Sequence, residues 1–164
     1  MQRRRRPKAA LRLPFSFTAG APYAPSERLV CSLNVWDCAN VSWSDLDDVR
    51  ILSPAIIDLA TTNHTDLMPN GLWNYACELH GWDEFPAYLG LSFFLRGVGI
   101  FPTYFGTMAT AGTFGGIGAG STIFWVDPER DVTFVCFTAG LLEESNSLLR
   151  FQRLSDLVHA AVVD

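Results

Sequence analysis

Residues 113–138, Thr-Phe-Gly-Gly-Ile-Gly-Ala-Gly-Ser-Thr-Ile-Phe-Trp-Val-Asp-Pro-Glu-Arg-Asp-Val-Thr-Phe-Val-Cys-Phe-Thr, decide the fold. They read as a glycine-rich strand leading into a tight hairpin, Ser121–Val126 and Val132–Thr138 around a turn at Asp127-Pro128-Glu129-Arg130. Both arms are rich in β-branched and aromatic residues. Proline presets the backbone of the turn, and the aspartate carboxylate can accept from the turn's own amides. The glycines permit a bulge or the close packing of another group over the strand. They do not suit a phosphate. A P-loop needs lysine before its Ser/Thr, and Ser121 follows Gly120 directly. A dinucleotide loop needs a helix after its glycines, and here a strand follows.

Working outward, Ser53-Pro54 marks a helix start, with serine as N-cap, proline at the first helical position and an apolar stripe at Ile56, Ile57, Leu59 and Ala60. This helix should stop near Asn63-His64. Residues 65–87 read as loop, with a turn at Pro69-Asn70-Gly71 and scattered aromatics at Trp73, Tyr75 and Trp82. Tyr88–Leu95 is a compact apolar run closed by Arg96-Gly97, and it suits a buried strand. Near the C-terminus, Ser145 or Asn146 caps a helix over Leu148–Val162. Its expected inward face is Leu148, Phe151, Leu154, Leu157, Val158 and Ala161. The fold class is α/β (α+β): an antiparallel sheet from residues 88–138 with the C-terminal helix packed on one face. Residues 29–48 give no assignable pattern.

The chain's 164 residues and net charge of −5 suit one domain, but the charge is uneven. Residues 1–28 hold seven basic residues against Glu27, and the remainder holds five arginines against sixteen acids. Residues 1–28 are expected to be a basic, disordered leader, and residues 29–164 the domain. A secretory leader is disfavoured because Arg12 and Pro14 interrupt any apolar core. A nuclear-targeting or nucleic-acid arm is the other reading of the arginine run. The acidic body argues against nucleic acid as a partner of the folded part. Gly97–Val126 carries no charge over thirty residues, yet its eight glycines and Pro102 disfavour a membrane span.

Cys31, Cys38, Cys77 and Cys136 form no metal-binding spacing. Reduced thiols in a cytoplasmic protein are expected, with Cys136 a small core residue and a Cys31–Cys38 disulfide as the alternative. His64 and His159 fall at helix C-termini, where a cation suits the dipole. His80, with Glu78, Asp83 and Glu84 around it, reads as one of several solvated loop charges rather than a metal ligand.

The run Ile51-Leu52-Ser53-Pro54, the Tyr88-Leu89-Gly90-Leu91 segment, Phe114-Gly-Gly-Ile-Gly118, Phe124-Trp-Val-Asp-Pro-Glu-Arg-Asp131 and the Arg153-Leu-Ser-Asp-Leu-Val158 helix together resemble the C-terminal part of the β-lactamase-related serine hydrolases. That group includes class C β-lactamases, penicillin-binding-protein-like peptidases and esterases. The resemblance covers residues 49–164 and implies a partial β-lactamase-like fold. Its chemistry uses a Ser-x-x-Lys nucleophile, a Tyr-x-Asn or Ser-x-Asn proton-transfer element, and a Lys/His-Ser/Thr-Gly strand beside the oxyanion hole.

Here Ser-x-x-Lys is absent: the only lysine is Lys8, and Arg5 stands three residues before it. No tyrosine has asparagine two residues on, and only the loose Ser32-Leu33-Asn34 fits the second pattern. The strand motif maps to Gly116, Ile117 and Gly118, of which Gly118 alone matches, and Ala119 falls where the oxyanion-hole amide belongs. The resemblance thus implies substrate-lining residues Gly116, Ile117, Gly118 and Ala119, no catalytic residue, no metal and no cofactor. Its possible partners are a small ester or amide substrate in full-length relatives, or the N-terminal half of a split hydrolase. A noncatalytic binding module, using residues 65–87 or the basic leader, is the alternative.

Overall fold

The structure is a computed structural model that describes residues 30–34, 45–46, 49–50, 52–118, 122–138 and 140–162. In chain order the elements are β1 (Val30–Asn34), β2 (Asp45–Leu46), β3 (Val49–Arg50), α1 (Pro54–Thr61), α2 (Asn74–His80), β4 (Phe94–Leu95), β5 (Phe114–Gly118), β6 (Thr122–Asp127), β7 (Val132–Phe137) and α3 (Glu144–Ala161). A five-stranded antiparallel sheet runs β1-β7-β6-β5-β4, and β2 pairs with β3 in a separate two-stranded ribbon. The expected α+β class is therefore the observed one. The sheet is larger than residues 88–138, because the N-terminal strand β1 pairs along β7.

The β6–β7 hairpin forms where expected. Asp127 is fully buried, and its carboxylate accepts from the Arg130 amide at 3.3 Å, closing the turn. It also accepts from the Thr110 amide (3.1 Å) and hydroxyl (2.7 Å), so one carboxylate ties the hairpin to the preceding loop.

One sheet face, carrying Ile123, Trp125, Val132, Phe134 and Cys136, packs against Leu148 and Phe151 of α3. Trp125 stacks on His159 (4.5 Å between centroids, 17° between planes), lies 5.3 Å from Phe134 and donates its Nε1–H to the Ser155 hydroxyl at 2.9 Å. Ser155 in turn donates to the Tyr104 carbonyl at 2.8 Å. The inward face of α3 is Leu148, Phe151, Ser155 and His159, with Leu154 and Val158 half-buried against the core as expected, while Leu157 and Ala161 are exposed. The apolar periodicity misplaced Leu157 and Ala161, because the two most buried positions in this half of the helix go to polar residues, Ser155 and His159, each with a partner on the sheet. The helix also begins one cap earlier. Glu143, not Ser145 or Asn146, is the N-cap, and its carboxylate accepts from both of their amides.

His159 is buried rather than a solvated terminal cation. Burial lowers its pKa, the neighbouring Arg130 lowers it further, and Asp127, the Phe105 backbone and Asp156 oppose the shift.

Three further expectations change. Of Tyr88–Leu95, only Phe94 and Leu95 form a strand (β4). Tyr88 and Ser92 adopt left-handed backbone (φ 45° and 65°), and residues 89–94 fold into a tight turn bridged at Leu89 and Phe94. Gly90 sits against the last turn of α1, where any Cβ would overlap the Ala60 carbonyl, so this run answers to a tertiary contact. Residues 65–87 contain helix α2, which ends at left-handed Gly81, and the Gly81 and Trp82 amides both donate to the Cys77 carbonyl. Helix α1 starts as expected, with Ser53 Oγ accepting from the Ile56 amide, but none of its residues is buried.

Arg96 is buried, stacks over Phe101 and donates to the carbonyls of Gly97, Gly99 and Gly106. This guanidinium organises the glycine-rich segment that precedes β5. Among the described residues no helix is long and apolar enough to cross a membrane.

Two measurements test this core. Ser155→Ala leaves the Trp125 N–H buried without its acceptor and should cost about 1–3 kcal/mol in denaturant unfolding. Trp125→Phe combined with Ser155→Ala should cost less than the sum of the single changes, and full additivity would rule out the coupling. Second, His159 resists protonation in the folded state, so the unfolded chain binds the extra proton and stability rises with pH through this group. Its contribution is complete above the ordinary value of 6.5 and diminishes as pH falls below it. Thermal melts from about pH 7.5 down to about pH 5 should show a declining midpoint, and His159→Gln should flatten that slope.

Candidate functional site: the open edge of the glycine strand

β5 pairs fully with β6, Phe114 opposite Val126 through Gly118 opposite Thr122. On its other side, β4 reaches only Phe114 and Gly115. Gly116, Ile117 and Gly118 therefore extend past their short neighbour, and among the described residues no strand pairs with that edge. An open strand edge presents backbone N–H and C=O groups that can bind an extended ligand.

The three residues differ in what they offer. Gly116 is half-buried opposite Phe124, and a Cβ here would lie 2.7 Å from the Phe124 ring. Phe124 fills the place a side chain at 116 would take, an aromatic covering a cross-strand glycine. Phe93 packs edge-on against both Phe114 (5.2 Å) and Phe124 (6.4 Å), giving this side of the strand an apolar wall. Phe124 stays 38% exposed. Ile117, opposite Ile123, packs against the main core. Gly118 is exposed at the strand's end, and Ala119 lies outside the described residues.

A cavity of about 230 Å³ opens beyond β4, lined in part by Thr61, Asn63, Tyr88, Val98 and Thr113. Its polar side chains already have partners within the protein. Thr61 donates to the Ile57 carbonyl, Tyr88 donates to the Val98 carbonyl, and Asn63 bonds Thr65 and the Asp66 carbonyl. No charged side chain lines it.

One serine and one histidine do meet, in a place the sequence did not indicate. His80, at the end of α2, stacks on Trp82 at 4.5 Å and places its Nε2 2.9 Å from the Ser145 hydroxyl. That hydroxyl donates to the Glu143 carboxylate, whose pKa is lowered chiefly by this bond. With its proton directed to Glu143, Ser145 accepts from the imidazole, so His80 cannot take a proton from it. Nucleophilic catalysis needs the opposite arrangement, with the base receiving the serine proton. Ser145 is also fully buried. The trio is a cap that joins α2 to α3, and it replaces the reading of His80 as a solvated loop charge. A separation of 65 residues hid it from sequence spacing.

Tyr104 is no better as a base, because burial raises its pKa and Glu144 and Glu143 add to the shift. Among the described residues no three His, Cys, Asp or Glu side chains converge as metal ligands. Among the described residues the main site thus offers backbone hydrogen-bonding groups and an apolar wall, and no paired nucleophile and base.

No protein-family model and no curated protein matches this chain. Among solved structures, a β-lactamase from Mycobacterium bovis is similar over 67% of this chain, with a TM-score of 0.54 and 27% sequence identity. The chain spans 38% of the length of that protein. The relationship to β-lactamases therefore holds at the level of the fold.

Proposed function

We propose that this chain is the C-terminal scaffold of a β-lactamase-related serine hydrolase, with a degenerate substrate-lining strand and no acyl-transfer chemistry of its own. The observation that carries this reading is the combination at β5. The strand's edge is open at Gly116–Gly118, yet the position of the family's basic residue is glycine, and Phe124 occupies the space beside it. The absence of Ser-x-x-Lys from the whole sequence supports the same reading, as does the similarity to 38% of a β-lactamase. Gly116, Ile117, Gly118 and Ala119 would then supply shape and backbone hydrogen bonds along a small ester or amide substrate, with the nucleophile coming from a separate helical portion.

A second reading, a noncatalytic partner module, is favoured by the apolar side chains around α1 and α2. Leu67 and Leu72 are 71% and 70% exposed, and Ile56, Leu59 and Leu79 are also exposed. Of the aromatics expected to form such a surface, Tyr75 is exposed, Trp73 is buried and Trp82 is half-buried under His80.

Purified chain assayed with nitrocefin and p-nitrophenyl acetate should show no turnover above buffer. Turnover that a single serine substitution abolishes would overturn the proposal. Light scattering after size-exclusion chromatography separates the second reading, which expects self-association or capture of a neighbouring gene product. At the strand, Gly116→His should destabilise the protein by about 1–3 kcal/mol through overlap with Phe124. Adding Phe124→Ala should recover part of that loss. A neutral Gly116→His would show that the aromatic does not hold this space.

A further inference from the structure

The cavity beyond β4 is lined by hydroxyl groups whose hydrogens are committed elsewhere and whose lone pairs are not. Tyr88 and Thr113 on its wall are buried, whereas Val98 and Ala111 are exposed, Val98 to 67%, and mark its mouth. Thr61, the last residue of α1, and Asn63 complete the polar part of the lining.

Thr61 donates its hydroxyl hydrogen to the Ile57 carbonyl at 2.9 Å, and Tyr88 donates to the Val98 carbonyl at 3.1 Å. The Thr110 hydroxyl gives its hydrogen to the Asp127 carboxylate at 2.7 Å, so its 3.5 Å contact with the Thr113 hydroxyl is donated by Thr113. Three hydroxyl oxygens on the wall can therefore accept a hydrogen bond, and none has a hydrogen left to offer. Asn63 is their complement. Its carbonyl oxygen accepts from the Thr65 amide and hydroxyl, one side-chain N–H goes to the Asp66 carbonyl, and the second N–H remains.

Among the described residues no charged side chain lines the cavity, so a carboxylate or ammonium entering it would lose water without meeting a counter-charge. Arg96, beside Gly97, spends its guanidinium on the carbonyls of Gly97, Gly99 and Gly106. Glu129 comes within 3.6 Å of the place a Cβ on Gly112 would take, but is not part of the lining. Leu95, Val98 and Ala111 supply apolar surface. An apolar cavity of roughly 150 Å³ admits benzene. At about 230 Å³ this one has space for a ring with a short side chain.

We propose that this cavity binds a small neutral alcohol built on a single ring, whose hydroxyl donates to the wall's hydroxyl oxygens and accepts from Asn63. The site is separate from the open edge of β5 and does not depend on what that edge binds.

The test titrates the full chain with phenethyl alcohol and follows methyl NMR signals. Binding should saturate and shift the methyl groups of Leu95, Val98 and Ala111. The methyl ether of the same alcohol keeps the ring and the oxygen but has no hydrogen to donate, and it should bind about 3–10-fold more weakly. Phenethylammonium and phenylacetate, which add a charge of either sign, should not saturate. Thr61→Val and Tyr88→Phe each remove one acceptor and should weaken the alcohol while leaving the ether unchanged. The ligand series on the wild-type protein carries the result even if a variant fails to fold. Absence of saturable alcohol binding, equal binding of the ether, or shifts confined to residues outside the cavity would each overturn the proposal. Tighter binding of the ammonium would also overturn it, and would assign the site to a cation held by Glu129.

Discussion

The buried indole of Trp125 is the constraint to which most of the structure answers. An aromatic N–H taken out of water needs an acceptor, and the nearest element able to supply one is α3. Serine at 155 meets that need, and histidine at 159, one helical turn on, lies flat against the ring. Together they set the rotation of α3 about its axis and its position along the sheet. The next residue extends the effect: Asp156 accepts from the Thr107 amide and hydroxyl and from the Met108 amide, while Ser155 holds the Tyr104 carbonyl. Two consecutive helical residues thus fasten the segment that leads into β5, and through it the path of the glycine strand.

Elements whose chemistry is local were legible in the sequence. The Asp-Pro turn makes its own hydrogen bond, and the Ser-Pro start of α1 carries its cap within three residues. Elements answerable to distant groups were not. Residues 88–95 have the composition of a strand, but contact with α1 folds residues 89–94 into a turn, and only Phe94 and Leu95 pair with β5. α2 has seven residues and no side-chain N-cap, so Gly81 was its one strong mark. The face of α3 was legible at Leu148, Phe151, Leu154 and Val158, but periodicity counts hydrophobicity, whereas Ser155 and His159 are buried by virtue of their partners. At the candidate site, the glycines' tolerance of close packing was readable, but the identity of the packed group, Phe124, required the register of β5 and β6.

Among the described residues the sheet's two faces are unequally covered. α3 closes one of them, whereas Phe137 on the other is 58% exposed and Phe124 is partly so. α1, almost entirely apolar, likewise lacks a single buried residue. Such uncovered apolar surface favours association. Among the described residues, the exposed part of this face is also the part that Gly116 shares with Phe124.

The pairing of β1 with β7 has a consequence for biosynthesis. Val30 is joined to Phe137, across more than a hundred residues. At the usual rate of translation, roughly 5–20 s separate the emergence of the two strands. During that interval β1 has no sheet to join, because β6 and β7 are still to be made. The N-terminal strand therefore stays unpaired until the final hairpin leaves the ribosome.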